Sequence, residues 1–223
     1  MMNLFNPTEN GDILANQNDK FVKYIIGFAT FYLGFQLVQS NMAFVTTVAL
    51  GLEKGMSSTL FIASVVCALA FIPLYNVFVK RLGTVRSLMI SMVSYAIVSI
   101  LIMVLPQVKA IPPVVSGFVL MALLGFPYSG LMVIPNVLVS EIIDDDHKRF
   151  AVRREAMFFG VQGLVNQIAA SFSLLIIGVI HDLFGNSAGN SLGVTLVSPI
   201  AAVFALVGFF VMLRLNRKKA GEL

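Results

Sequence analysis

Six stretches of this chain contain no Asp, Glu, Lys, Arg or His: Tyr24 to Leu50, Ser58 to Val79, Leu88 to Leu105, Val114 to Ser140, Met157 to Ile180 and Leu192 to Leu213. At about 1.5 Å of rise per residue, each is long enough to cross a hydrocarbon core of about 30 Å. Backbone facing lipid must satisfy its own hydrogen bonds, so segments of this length predict helices. The pattern therefore predicts an all-α membrane protein with six transmembrane helices in one domain, residues 21–223. Residues 1–20 are polar, carry Pro7 and Gly11, and lack the basic leader and apolar core of a signal peptide. They predict a polar cytoplasmic tail.

The first and fourth stretches are the longest, and both carry helix breakers. Gly27 and Gly34 lie in the first; Gly117, Gly125, Pro127, Gly130 and Pro135 lie in the fourth. Interrupted spans at matching positions of two three-helix units point to the inverted repeats of secondary transporters. The expected architecture is a 3+3 inverted repeat, read from hydropathy and breakers without any residue-level repeat.

Composition supports the membrane assignment: 58% of residues are hydrophobic and 12% charged, with a mean hydropathy of +0.90, against the 45 to 50% apolar share usual in soluble domains. The net charge of +4 does not mark a nucleic-acid surface, because the basic residues sit between apolar runs. The tail with the residues up to Lys23, the connection Lys80 to Arg86, the connection Glu141 to Glu155 and the C-terminal RLNRKKAGEL hold 13 of the 15 Lys and Arg residues, leaving Lys54 and Lys109 opposite. The positive-inside bias then places both termini in the cytoplasm, with the chain multi-pass in the cell membrane. Cys67 stands alone inside an apolar run, which leaves no disulfide and no CxxC site and suggests a packing role.

Side-chain amides are the candidate chemistry. They occur in helix one (Gln36, Gln39, Asn41), helix two (Asn76), helix four (Asn136) and helix five (Gln162, Asn166, Gln167), and are absent from helices three and six. If amides avoid lipid, helices one, two, four and five surround a polar interior and three and six lie outside. Counting from span ends puts Gln36, Gln39, Tyr128, Asn166 and Gln167 near the midplane, and Gln162 shares a helix face with Asn166. Each amide taken singly reads as interhelical glue; their restriction to four helices favours a cavity for a small polar solute. Asn41 and Asn76 read as structural.

The charged run EIIDDDHKRFAVRRE reads either as a solvated topogenic loop or as a gate in which Arg153 holds Glu141 or Asp144 by a bidentate pair. Consecutive acids in a loop diverge, so Asp144 to His147 is not expected to bind a metal. His181, beside Asp182, reads as an interfacial residue. The two histidines, His147 and His181, fall at opposite faces of the membrane, and no HExxH helix exists, so an enzyme is not expected.

The connection NVFVKRLGTVR resembles a loop motif of the major facilitator superfamily. The stretch GFPYSGLMVIPNVLVSEIIDDDHKRFAVRREAMFFGVQGLVNQ resembles its glycoside-pentoside-hexuronide cation symporters, the melibiose-permease-like branch. The resemblance covers helices seven to twelve of that family and so implies one half of a major facilitator fold carrying a sugar or similar solute. It also implies a cytoplasmic charged network at Glu141, Asp144 and Arg153, and substrate-facing positions at Gln162 and Gln167. The family often has Lys at the position of Gln167, Gly at that of Ala151 and Asp at that of Glu141. With no tryptophan in the chain, stacking on a sugar ring falls to Tyr32, Tyr128 or a Phe.

The family's cation-binding carboxylates lie in its first six helices, and no apolar stretch here contains an ionisable residue. No cofactor is therefore expected on this chain, and sodium or proton coupling is expected only with a missing N-terminal half. The expected partners are the solute, the bilayer, and either that half or a second copy of the chain. The alternative is a homodimeric uniporter or a homo-oligomeric channel.

Overall fold

The computed structural model describes residues 7–108, 110–150, 155–187 and 189–220. Six helices carry the fold: α1 (Pro7–Phe44, continued by a π-helical turn, Val45–Ala49), α2 (Lys54–Leu82), α3 (Thr84–Val104, closed by a 3-10 turn, Leu105–Gln107), α4 (Pro113–Phe150), α5 (Glu155–Phe184) and α6 (Leu192–Ala220). Each contains a segment long and apolar enough to cross a membrane. Their ends reach past the apolar stretches at two places. The tail is helical from Pro7, and α4 runs through the charged run as far as Phe150, where a loop was expected. No Gly or Pro interrupts residues 136–150, and Asp144 and Lys148 stand at the four-residue spacing that favours a helix.

The helices pack as a repeated unit. α1 lies against α6 and α5, and α4 lies against α3 and α2; α2 touches α3 about as much as α5 touches α6; α3 and α6 pack on each other. Exchanging α1 with α4, α2 with α5 and α3 with α6 returns the same contact map, as an inverted 3+3 repeat requires. This is the arrangement expected of one half of a major facilitator fold. α3 and α6 back α1 and α4 and are well buried, whereas α2 and α5 are the least buried helices. In place of amides, α3 and α6 hold buried serines, among them Ser87, Ser91, Ser99 and Ser198.

The expected breakers do not break the helices; α1 runs through Gly27 and Gly34, and α4 through Gly125, Pro127, Gly130 and Pro135. The glycines instead let helix backbones approach. A β-carbon on Gly34 would lie 2.7 Å from the Ala201 carbonyl oxygen, and one on Gly208 would lie 2.7 Å from that of Gly27. Ser198, Ala201, Ala205 and Gly208 form the matching small-residue stripe on α6, at spacings of three and four. On the other side, Gly125 abuts α2 where a β-carbon would lie 2.6 Å from that of Cys67, so the lone cysteine does have the packing role its sequence context suggests.

Candidate functional site

The two ends of the bundle are fastened alike. Gly83, at φ +86°, is the whole connection between α2 and α3. Thr84, buried at the start of α3, donates its hydroxyl hydrogen to the carboxylate of Glu141 on α4. That carboxylate sits at the amino end of α3, where unpaired N–H groups favour negative charge. At the opposite end Gly185, also at φ +86°, leaves α5, and Asn41 of α1 bridges α5 and α6. Its Nδ2 donates to the Val194 carbonyl (2.8 Å), so its Oδ1 is the acceptor for His181 Nε2, 3.0 Å away. The repeat therefore reaches side chains: a polar group of each long helix ties down the junction of the two helices that follow in the other unit.

His181, in the last turn of α5, is buried, with the Phe44 ring edge-on at 4.6 Å; it is a packed network member at the end of its helix. Asn41 is structural, as read from sequence. Asp144 is exposed one turn beyond Glu141. Arg153 lies outside the described residues, and with it the proposed carboxylate–Arg153 pair. Thr84 escaped the sequence reading: it is the first residue of α3, after the cap Gly83, and its partner Glu141 is 57 residues further along the chain.

The candidate solute-binding residues separate into two groups. Phe21 packs edge-on against Phe158 with ring centroids 4.8 Å apart, and Asn41 meets His181 further along. These two contacts fix α1 and α5 side by side in parallel. Gln162 then stands at about the height of Tyr24, and Asn166 at about that of Phe28. Both amide oxygens, Gln162 Oε1 and Asn166 Oδ1, are buried with no hydrogen-bond partner among the described residues. Leaving a buried acceptor unpaired costs about 1–3 kcal/mol, so two of them a turn apart mark α5 as a place where donors are wanted.

Gln39 and Tyr128 form the second group. With Phe35, Ser64 and Tyr95 they line a small hollow of about 20 Å³ between α1, α2, α3 and α4, room for about one water molecule. Gln39 is eleven residues beyond Phe28, so this group lies roughly 16 Å along the axis from Asn166. Tyr128 is 5.0 Å from Phe35, and the aromatic series continues through Tyr32 to Phe28 at centroid distances of 6.4 and 5.7 Å. These rings run along α1 from one group towards the other and supply the apolar faces that tryptophan would otherwise give. Gln36 is half-buried outside the hollow, and Gln167 is exposed.

A six-helix inverted repeat with amides and aromatic rings between its long helices is the half-unit of a membrane transporter. The chain matches the MFS/sugar transport protein family over residues 13–217 and belongs to it. It is accordingly a transporter of sugar-like solutes in a membrane and not an enzyme. No individual curated protein matches the chain.

Proposed function

We propose that this chain is the C-terminal half of a sugar-carrying symporter of the glycoside-pentoside-hexuronide type, with both termini in the cytoplasm of a cell whose plasma membrane it crosses. The observation that carries the site is the pair of unpartnered buried acceptors, Gln162 Oε1 and Asn166 Oδ1. Hydroxyl donors of a sugar satisfy them once α5 shifts against α1 within this half and opens the pair to the cavity between the two halves. Gln36, Gln39, Tyr128 and Gln167 extend the same pathway, the aromatic rings stacking on the ring face. Sodium or proton coupling comes from the first six helices.

An exposed stripe on α5 supports a second half. Ala156, Gly160, Gly163, Gln167 and Ser171 follow one another at spacings of three and four, and all are exposed. Small and polar residues on one face of a membrane helix suit a neighbouring helix or a wet cavity better than lipid.

Gln162→Leu and Asn166→Leu in the assembled transporter should each reduce sugar uptake at least tenfold with normal membrane insertion, because the apolar side chain removes a hydrogen bond without penalising the bilayer. Uptake at the native rate in both variants would return these amides to interhelical glue.

The gate reading places Glu141, Asp144 and Arg153 on the cytoplasmic side, with Thr84 as a further member. Thr84→Val keeps the shape and removes the hydroxyl, and hydrogen bonds to charged groups are worth about 1.5–3 kcal/mol. Amide hydrogen exchange in the first turn of α3 should then accelerate about tenfold or more. Unchanged exchange there would mean that the contact holds nothing closed.

A further inference from the structure

We propose that the groove between α3 and α6 is a binding site for an anionic phospholipid. It runs along the outer side of α3, with Leu82 at the end of α2 beside Arg86 and no lining residue from α5, and is an open groove of about 470 Å³. Its walls are apolar side chains, Met89, Ile90, Val93 and Ile97 of α3 and Phe209 of α6, and its one charged lining residue is Arg86. From Arg86 to Ile97 the groove follows α3 for eleven residues, about 16 Å. That is the depth of one leaflet, half of a hydrocarbon core of about 30 Å. The groove is thus as long as an acyl chain is deep, and its cation stands where the headgroup begins.

Charge at that mouth selects the headgroup. Arg86 is exposed and forms no ion pair among the described residues, and Arg214, exposed on α6 five residues beyond Phe209, adds a second positive charge at the same end. A guanidinium binds phosphate oxygens bidentately. A zwitterionic lipid offers its own ammonium against both arginines, whereas phosphatidylglycerol offers only negative charge. The site is independent of which face of the membrane is cytoplasmic, and of the solute-transport reading above.

The test is native mass spectrometry of the full chain released from bilayers of equimolar phosphatidylglycerol and phosphatidylcholine. The unmodified chain should retain phosphatidylglycerol about fivefold or more over phosphatidylcholine, the factor expected from one basic residue at an anionic surface. Arg86→Gln should lower that ratio about fivefold. Arg81→Gln, exposed at the same end but not lining the groove, should leave it unchanged, and Ile97→Trp, which fills the deep end, should lower retention of both lipids. Thermal unfolding of each variant checks that the bundle is intact. Equal retention of the two lipids by the unmodified chain, or an effect of Arg81→Gln as large as that of Arg86→Gln, overturns the site. A dimer mass lost on Ile97→Trp would assign the groove to a second copy of the chain and overturn it as well.

Discussion

Gly34→Val should lower the thermal unfolding temperature of the purified chain by roughly 10 °C or abolish its accumulation in the membrane. A β-carbon at this position would lie 2.7 Å from the carbonyl oxygen of Ala201 and 3.2 Å from the β-carbon of Phe204. Both atoms belong to or adjoin the backbone of α6, so no side-chain rotation relieves the clash and the helices must part. Overpacking of this kind costs about 1–3 kcal/mol. Parting them also draws the Gly34 carbonyl from the buried Tyr95 hydroxyl that bonds it at 2.8 Å, a further loss of about 1–3 kcal/mol. At about 2–4 °C per kcal/mol for a chain of this size, the sum accounts for the shift. Reaction of Cys67, half-buried against Gly125, with a thiol dye during heating reads the transition. Gly163→Val is the control: nothing lies within 4 Å of its β-carbon. Equal melting of the two variants would show that close approach at Gly34 does not hold α1 to α6.

The six spans were legible because lipid tolerates so few charges: the gaps between charged residues outline the helices almost unaided. Their ends were less so. The run Glu141 to Phe150 reads as a loop by polarity, yet side chains in water at a membrane surface are as compatible with helix as with loop, and nothing there stops α4. The breakers misled for a related reason. In a bilayer Gly34 and Gly125 bring helices together, and sequence alone does not tell a glycine that bends a helix from one that lets another approach. The repeat was visible in hydropathy, but its side-chain expression was not: Asn41 and Glu141 fasten equivalent junctions at opposite ends with different chemistry, and Gly83 and Gly185 match only in backbone angle. Depth counted from span ends placed Gln39 beside Asn166. The register set by Phe21 with Phe158 and Asn41 with His181 shows two levels instead, because neighbouring helices need not begin at the same height.

Gradient-driven sugar uptake should be absent from liposomes containing this chain alone and should appear when it is co-expressed with the first six helices of a matching symporter. The expectation rests on the proposed half-transporter reading. Coupling to sodium or protons calls for an ionisable group at membrane depth. Between the ends of these helices the chain offers amides, hydroxyls and aromatic rings; Glu141 and His181 lie at opposite ends, each engaged by a neighbour. A second copy related by an axis along the membrane normal doubles the amides and brings no carboxylate, so a homodimer would move solute only down its own gradient. The α5 stripe tells assembly apart from coupling. Gly163→Leu projects a large side chain from an exposed face and leaves the bundle's own contacts untouched. It should therefore keep the unfolding temperature within a degree or two and still cut complemented uptake at least tenfold, by holding the partner helix away. Sodium- or proton-driven accumulation by the chain alone overturns the need for a second half, and full complementation by Gly163→Leu moves the partner surface off this face of α5.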